Sequence, residues 1–421
     1  MTENETRLPV AYWRQFAASA VSNLGDGANA AAMPLLAITL TEDPRLISLV
    51  AFSSMVPWLV LSLPAGVWLD RWETRRVIIT ATAVRAVMYG LIAVLVATDT
   101  VRIWSLLAAL LVIGCAEVFF DMGSQAFLPS IVPEGALHRA NGLLYSVEVV
   151  TNSFMGLPLG SWLFVIAAAV PFGINGAALA LAAVLVSTIR PVPGGRAGGP
   201  GTPRGSFLVD LREGMAWLWN HRNLRTLAVL LGVTNGALMF GEAIFVKFAF
   251  RYLDVGPRGY GLLLALTSVG AILGGLLGDR IAGRLGVAAS IIGAYVVFTV
   301  ADAVRAAFPS VALFAVMSIA VSLAGTVWNV VTVSYRQRVI PAELFGRVNS
   351  AYRFIGTGSI ALGAVIGGQT AHYLGLRAPY FLGSAVTAAA LLWGLPVLRS
   401  PGFAEVGQEG RRPASRTRRA G

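Results

Sequence analysis

The 421-residue chain is 56% apolar and only 13% charged, carries a formal charge of +11 and has a mean hydropathy of +0.71. Soluble globular proteins average about 25% charged residues, so the composition sets the chain apart from them and points to the membrane. Cys115 stands alone and cannot close an internal disulfide, while His138, His221 and His372 are too scattered to join it in a zinc site. Lys247, the only lysine, lacks the upstream glycine of a phosphate-binding loop. The expectation is therefore no metal, no cofactor and no ATP hydrolysis.

Apolar runs such as Leu179 to Val186 and Val311 to Ala324 lack the alternation of barrel strands. Lipid offers no hydrogen-bond partners, so such runs predict helices of about 20 residues each. The first eleven residues, with Glu3, Glu5 and Arg7, have no cleavable-leader pattern, and the first helix is expected to be retained. Spans are predicted at about 12–38, 47–69, 77–97, 103–128, 141–164 and 168–189. Arg190 to Arg225 then opens on Pro191 and Pro193, continues Gly/Pro-rich through Gly205, and recovers helical character at Leu208 to Trp219, which reads as a linker with a surface helix. A second set follows at about 225–250, 258–278, 287–307, 310–333, 349–373 and 379–398. The predicted organisation is all-α with twelve transmembrane helices: a six-helix bundle over 1–189, a linker over 190–224, a second six-helix bundle over 225–398 and a basic tail over 399–421.

Arginines fall overwhelmingly on one side of this arrangement: Arg71, Arg75 and Arg76, Arg139, those of the linker, Arg280 and Arg284, Arg336, Arg338 and Arg347, and those of the tail. Arg45, Arg102, Arg258 and Arg377 fall opposite. The positive-inside rule places both termini in the cytoplasm. The basic tail reads as a determinant of topology and of contact with anionic membrane lipids, with no nucleic-acid partner.

Two loops repeat. Gly66, Asp70, Arg71, Arg75 and Arg76 follow the second span, and Gly275, Asp279, Arg280 and Arg284 follow the eighth at the same spacing. Pro133, Arg139 and Asn141 likewise match Pro341, Arg347 and Asn349, both pairs of loops being separated by about 208 residues. Matching loops at matching helix numbers imply duplicated halves related by an axis along the membrane normal. On these residues the chain resembles the major facilitator superfamily, whose signature loop has the form Gly, three residues, Asp-Arg, three residues, Arg-Arg. The second copy lacks only the final basic residue. Ser22 to Gly27, Met33-Pro34-Leu35-Leu36 and Leu128-Pro129 are similar to the branch holding macrolide efflux proteins and an enterobactin exporter. Glu117 and Asp121 stand on the fourth helix where related drug/proton antiporters have an Arg-centred motif, so mechanism does not transfer from those relatives.

An ionisable residue inside a span costs about 2.5–3.5 kcal/mol on insertion scales and calls for a partner or a task. Arg85, Glu117, Asp121 and Glu148 are predicted at similar depth, with Glu117 and Asp121 on one helix face. They form one charge cluster with Arg85 as the cationic partner, and act either as a lock between helices or in handling protons or substrate. Asp302 and Arg305 are spaced to pair along their own helix as a structural element. Asp26 lies near the midplane with no cation in reach on its own helix. The resemblance implies that the first and seventh helices line a central cavity, making Asp26 and Glu242 the leading proton sites, with Glu117, Asp121 and Glu148 as further candidates. A desolvated carboxylate binds a proton more tightly than one in water, as such a site needs. The other reading of Asp26 is a local hydrogen bond to backbone beside Gly25 and Gly27.

The signature loops are implied by the resemblance to gate the two halves. Gln125, Asn152, Trp328 and Asn329, with Phe119, Phe120, Trp162 and Tyr335, are candidates for an apolar cavity with a few polar contacts. The expected function is proton-coupled efflux of a hydrophobic or amphipathic small molecule by a monomer in the cell membrane. Uptake by proton symport is the alternative. A membrane enzyme or scaffold is disfavoured because neither a nucleophile motif nor paired metal-binding carboxylates occur in a cytosolic loop.

Overall fold

A computed structural model of the chain describes residues 8–69, 72–189, 207–341, 343–400 and 403. Among the described residues the regular structure is entirely helical. In chain order the helices are α1 (Val10–Leu40), α2 (Pro44–Leu69), α3 (Thr74–Ala97), α4 (Ile103–Ile131), α5 (Leu137–Glu148), α6 (Leu157–Ile166), α7 (Val170–Ser187), α8 (Phe207–Asn220), α9 (Arg222–Glu242), α10 (Phe245–Tyr252), α11 (Pro257–Leu285), α12 (Val287–Ala307), α13 (Val311–Val339), α14 (Phe345–Leu374) and α15 (Ala378–Leu398). A π-helical segment, Val149–Gly156, joins α5 to α6.

Eleven segments among the described residues are long and apolar enough to cross a membrane. At 31 residues α1 has the length, but Gln15, Ser19, Ser22, Asn23 and Asp26 lower its hydropathy. These polar residues recur every three or four positions and so share one face of the helix. The polarity is concentrated where it can be solvated by other side chains, and the remaining faces stay apolar. The surface helix expected at Leu208 to Trp219 is α8. The basic tail lies outside the described residues apart from Arg399, Ser400 and Phe403.

Two compact units emerge. The first contains α1 to α7 together with 243–265 and 367–372; the second contains α8, α9, 266–366 and the chain from Tyr373 onward. In the first unit Met33 and Leu36 of α1, Tyr89 and Ile92 of α3, Leu106 and Leu110 of α4 and Phe172 and Leu179 of α7 form a buried cluster. In the second, Leu227 and Leu230 of α9 pack with Tyr295 and Phe298 of α12, Trp328 and Tyr335 of α13 and Tyr352 of α14. Tyr335 stacks on Phe403 with ring centroids 4.7 Å apart. Large apolar side chains such as Val94, Val184, Leu276, Val316, Leu362 and Leu392 remain exposed, as a lipid-facing surface requires.

Without a hydrophobic force between helices in lipid, close backbone approach through small residues carries much of the packing. A Cβ at Gly27 would lie 2.0 Å from the Asn152 carbonyl oxygen, and one at Gly160 would lie 1.9 Å from that of Ala28, so glycine seats α1 against the π segment and α6. Gly286 turns the chain between α11 and α12 at φ 83°, a conformation that glycine adopts without steric cost.

The structure departs from the sequence expectation in three elements. The fifth span is interrupted by the π segment, immediately before Pro158. Proline has no N–H and its ring crowds the carbonyl four residues back, so a widened turn there relieves both problems. The seventh span divides into α9 and α10 around Ala243 and Ile244. Helix α11 continues to Leu285, so the second signature copy sits within a helix and not in a loop.

Candidate functional site

Helices α1, α3, α4 and α5 enclose a cavity of about 400 Å³ in the first unit. Its lining includes Asp26, Glu117, Asp121 and Glu148 as carboxylates and Arg85 as the sole cation among the described residues, with Gln15, Asn23, Gln125, Asn141 and Asn152 adding amides. Phe120 forms part of the wall, its ring 5.4 Å from the Arg85 guanidinium carbon. Two of the sequence-derived polar candidates, Gln125 and Asn152, therefore lie with all but one of the acidic candidates.

Asp26 occupies the deep wall. Arg85 Nη2 donates to Asp26 Oδ1 at 2.7 Å, Asn175 Nδ2 donates to the same oxygen at 3.3 Å, and Ser22 Oγ donates to Oδ2 at 3.3 Å. Its partners are side chains of α1, α3 and α7, not the backbone beside Gly25 and Gly27. Gly25 makes room for this arrangement, since a Cβ there would fall 2.0 Å from Asn175 Oδ1. The Arg85 side chain is 2% exposed and that of Asp26 19%, so the pair is largely desolvated. At such burial an ion pair is held by geometry and further hydrogen bonds more than by net Coulombic gain. The cavity also holds Glu117, within electrostatic reach of Arg85. One guanidinium is thus grouped with four carboxylates among the described lining residues.

Glu242 lies elsewhere, at the end of α9 in the second unit. Arg305 Nη1 donates to Asp302 Oδ1 at 3.2 Å and to Glu242 Oε1 at 3.4 Å, and Nη2 donates to Ser318 Oγ at 2.7 Å. Asp302 and Arg305 are 4% and 3% exposed, and the guanidinium stands 4.6 Å from the Phe314 ring centroid. The pair expected along this helix forms, and it ties α9, α12 and α13 together. Trp328 and Asn329 line a different cavity in the second unit, about 470 Å³ in volume, with Arg336 and Arg353.

The other aromatic candidates separate. Phe119 stacks with Trp68 at 5.8 Å and lines an apolar groove between α3 and α4. Trp162 is half exposed, beneath Arg258 at 5.6 Å. Tyr335 belongs to the core, where Asn223 Nδ2 donates to its hydroxyl at 2.8 Å. In the signature loop, Asp70 and Arg71 lie outside the described residues and Gly66 is within α2. Arg75 donates to the Ser187 carbonyl, and Arg76 pairs with Glu73 at 2.5 Å. Gly275, Asp279, Arg280 and Arg284 lie along the exposed side of α11.

The first unit also holds a charged cluster away from the cavity. Asp43 receives Arg45 Nη2 at 2.7 Å and lies 3.3 Å from His372 Nδ1. Lys247 donates to the carbonyl of Glu42, the residue before Asp43. Asp43 is held well below the usual carboxylate range, at about 2, chiefly by its hydrogen bonds from Arg45. Sequence spacing singled out none of these residues as a cluster.

Paired helical units, a signature motif repeated along the sequence and a polar cavity inside an apolar exterior define a multi-span membrane transporter of the major facilitator fold. The chain belongs to the family described as transmembrane secretion effector, matched over residues 10–410. The multidrug efflux pump Tap of Mycolicibacterium fortuitum is 27% identical over 408 residues, covering 92% of this chain and 95% of that protein. Macrolide efflux protein A of Streptococcus pyogenes is 22% identical over 241 residues, covering 56% of this chain and 58% of that protein. Among solved structures, the nucleoside transporter NupG superposes with a TM-score of 0.75 at 11% identity, covering 93% of this chain and 100% of that one; the likeness is one of fold.

Proposed function

We propose that the chain exports an amphipathic small molecule carrying positive charge, in exchange for protons, by alternating access. The observation that carries this reading is the first-unit cavity, where Asp26, Glu117, Asp121 and Glu148 face Arg85 amid amides and Phe120. The efflux direction is supported by the multidrug and macrolide pumps among the relatives. The excess of carboxylates favours a cationic guest, and the same groups provide places for a proton. In this reading Asp26, paired with Arg85, couples proton and substrate occupancy, because either a proton or a cationic guest weakens the Arg85 pair. The signature loops gate the cycle, Glu242 serves the second unit, and the chain acts as a monomer. The arginine asymmetry supports cytoplasmic termini.

The driving force is adequate. A proton crossing 100 mV releases about 2.3 kcal/mol and one pH unit adds about 1.4, enough for a concentration ratio of roughly several hundred per proton.

The test is accumulation of matched cationic and anionic fluorescent dyes and of antibiotics in cells expressing the chain, with and without a protonophore. Reduced accumulation of cationic compounds, restored by the protonophore and lost in Asp26→Asn, is the expected result. Increased accumulation would establish uptake, and efflux insensitive to the protonophore would refute proton coupling. Efflux of anionic dyes alone would refute the charge preference.

A further inference from the structure

The cavity of the second unit has the opposite character. It is bounded by α9, α13 and α14, and its lining contains Arg336 and Arg353 with no carboxylate among the described residues. Arg336 is 7% exposed, its guanidinium 4.0 Å above the Tyr352 ring. It donates through Nη1 to Asn349 Oδ1 and through Nε to the Thr332 carbonyl at 3.4 Å, which leaves Nη2 without a protein partner among the described residues. Trp328, 9% exposed, has its indole Nε1 buried and unpaired. Asn235 spends its amide N–H on the Gly356 carbonyl at 3.2 Å, and Asn349 spends its carbonyl on Arg336, so the latter's amide donors remain.

An arginine withdrawn from water without a carboxylate is costly, and a buried indole N–H without an acceptor adds to the cost. A guest bearing acceptor oxygens in the cavity removes the first of these deficits. We infer that the cavity between α9, α13 and α14 is a binding site for an oxyanion, a carboxylate or phosphate, held by Arg336 and Arg353 beside the Tyr352 ring. Arg336 Nη2 offers the remaining charged donors, and Arg353, which is exposed, supplies the second charge. A volume of about 470 Å³ accommodates a small organic body attached to that group. Such chemistry is offered by a soluble organic anion or by the headgroup of an anionic lipid. The inference stands independently of the transport reading.

Isothermal titration of the purified full chain in neutral detergent at low ionic strength, with 2-naphthoate and with inorganic phosphate as probes, tests the site. A parallel arm compares thermal unfolding in nanodiscs of phosphatidylcholine alone and with added phosphatidylglycerol. Saturable binding of either soluble probe, weakened about tenfold or more by Arg353→Gln and retained in part by Arg336→Lys, supports a soluble guest. Stabilisation by phosphatidylglycerol alone, lost in Arg353→Gln, supports the lipid headgroup. Because Arg353 is exposed and bears no structural hydrogen bond among the described residues, this variant keeps the test decisive even where Arg336→Gln fails to fold. Absence of both responses, or responses of equal size in wild type and Arg353→Gln, would overturn the assignment.

Discussion

Replacing Arg85 with Gln should be far more damaging than replacing its partner Asp26 with Asn, although both break the same 2.7 Å contact. The asymmetry follows from the charge balance of the cavity. Arg85 is its sole cation, and it faces both Asp26 and Glu117. Removing it strands desolvated carboxylates, and breaking a buried pair by deleting one member costs about 3–5 kcal/mol. Asp26→Asn leaves Arg85 with Glu117 in the same cavity, and the new amide oxygen can still accept from Arg85. Its expected cost is that of exchanging a charged for a neutral hydrogen bond, about 1–2 kcal/mol. Equilibrium unfolding of both variants in detergent, followed by far-UV circular dichroism, should therefore separate them by about 2–3 kcal/mol. Equal destabilisation within about 0.5 kcal/mol would refute the assignment of Arg85 as counter-charge to more than one acid.

The second unit offers a complementary case: Arg305→Met alone should destabilise by about 3–5 kcal/mol, whereas Asp302→Leu with Arg305→Met should recover most of that loss, measured by the same unfolding assay. Gly27→Ala should cost about 1–3 kcal/mol by driving a methyl into the Asn152 carbonyl, while Gly275→Ala, with open space around it, should be neutral or slightly stabilising. Asp43, with its carboxyl lowered to about 2, contributes stability that is complete above its unfolded value near 4 and lost as the pH falls towards 2. The difference in thermal midpoint between wild type and Asp43→Asn should accordingly stay constant from pH 8 to about 5 and shrink below about 4. A difference that changes between pH 8 and 6 would refute its assignment to the Asp43 carboxylate.

The all-helical fold, the helix at α8 and the Asp302–Arg305 pair were legible because each depends on periodicity within a short window. Asp302 and Arg305 stand three residues apart on one helix, so their contact needs no knowledge of tertiary structure. Asp26 and Arg85 are separated by 59 positions, and only tertiary packing, with α1 and α3 both seated against α7, brings them together. Sequence depth placed Arg85 with Glu117, Asp121 and Glu148 but gave no means of adding Asp26 from another helix. The same limit hid the contact between Asp43 and His372 and the basic cavity around Arg336. Helical continuity misled at the seventh span, where no proline marks the break after Glu242. The available signal was Gly241, whose missing Cβ admits the Tyr380 ring. Hydropathy understated α1 for a physical reason, since the residues that depress it line the cavity.

The widened turn at Val149–Gly156 has a mechanical consequence. A π turn holds more residues than an α turn, and each α-helical residue rotates the chain by about 100°. The segment thus sets the angular phase between Glu148, which faces the acidic cavity, and Gly160, which is locked against Ala28. Were it to tighten to α geometry, one end would have to swivel about the helix axis while the other stayed seated. The acidic face of the fifth span is held in phase by that turn, whose own Asn152 and Gly156 are seated against Gly27 of α1.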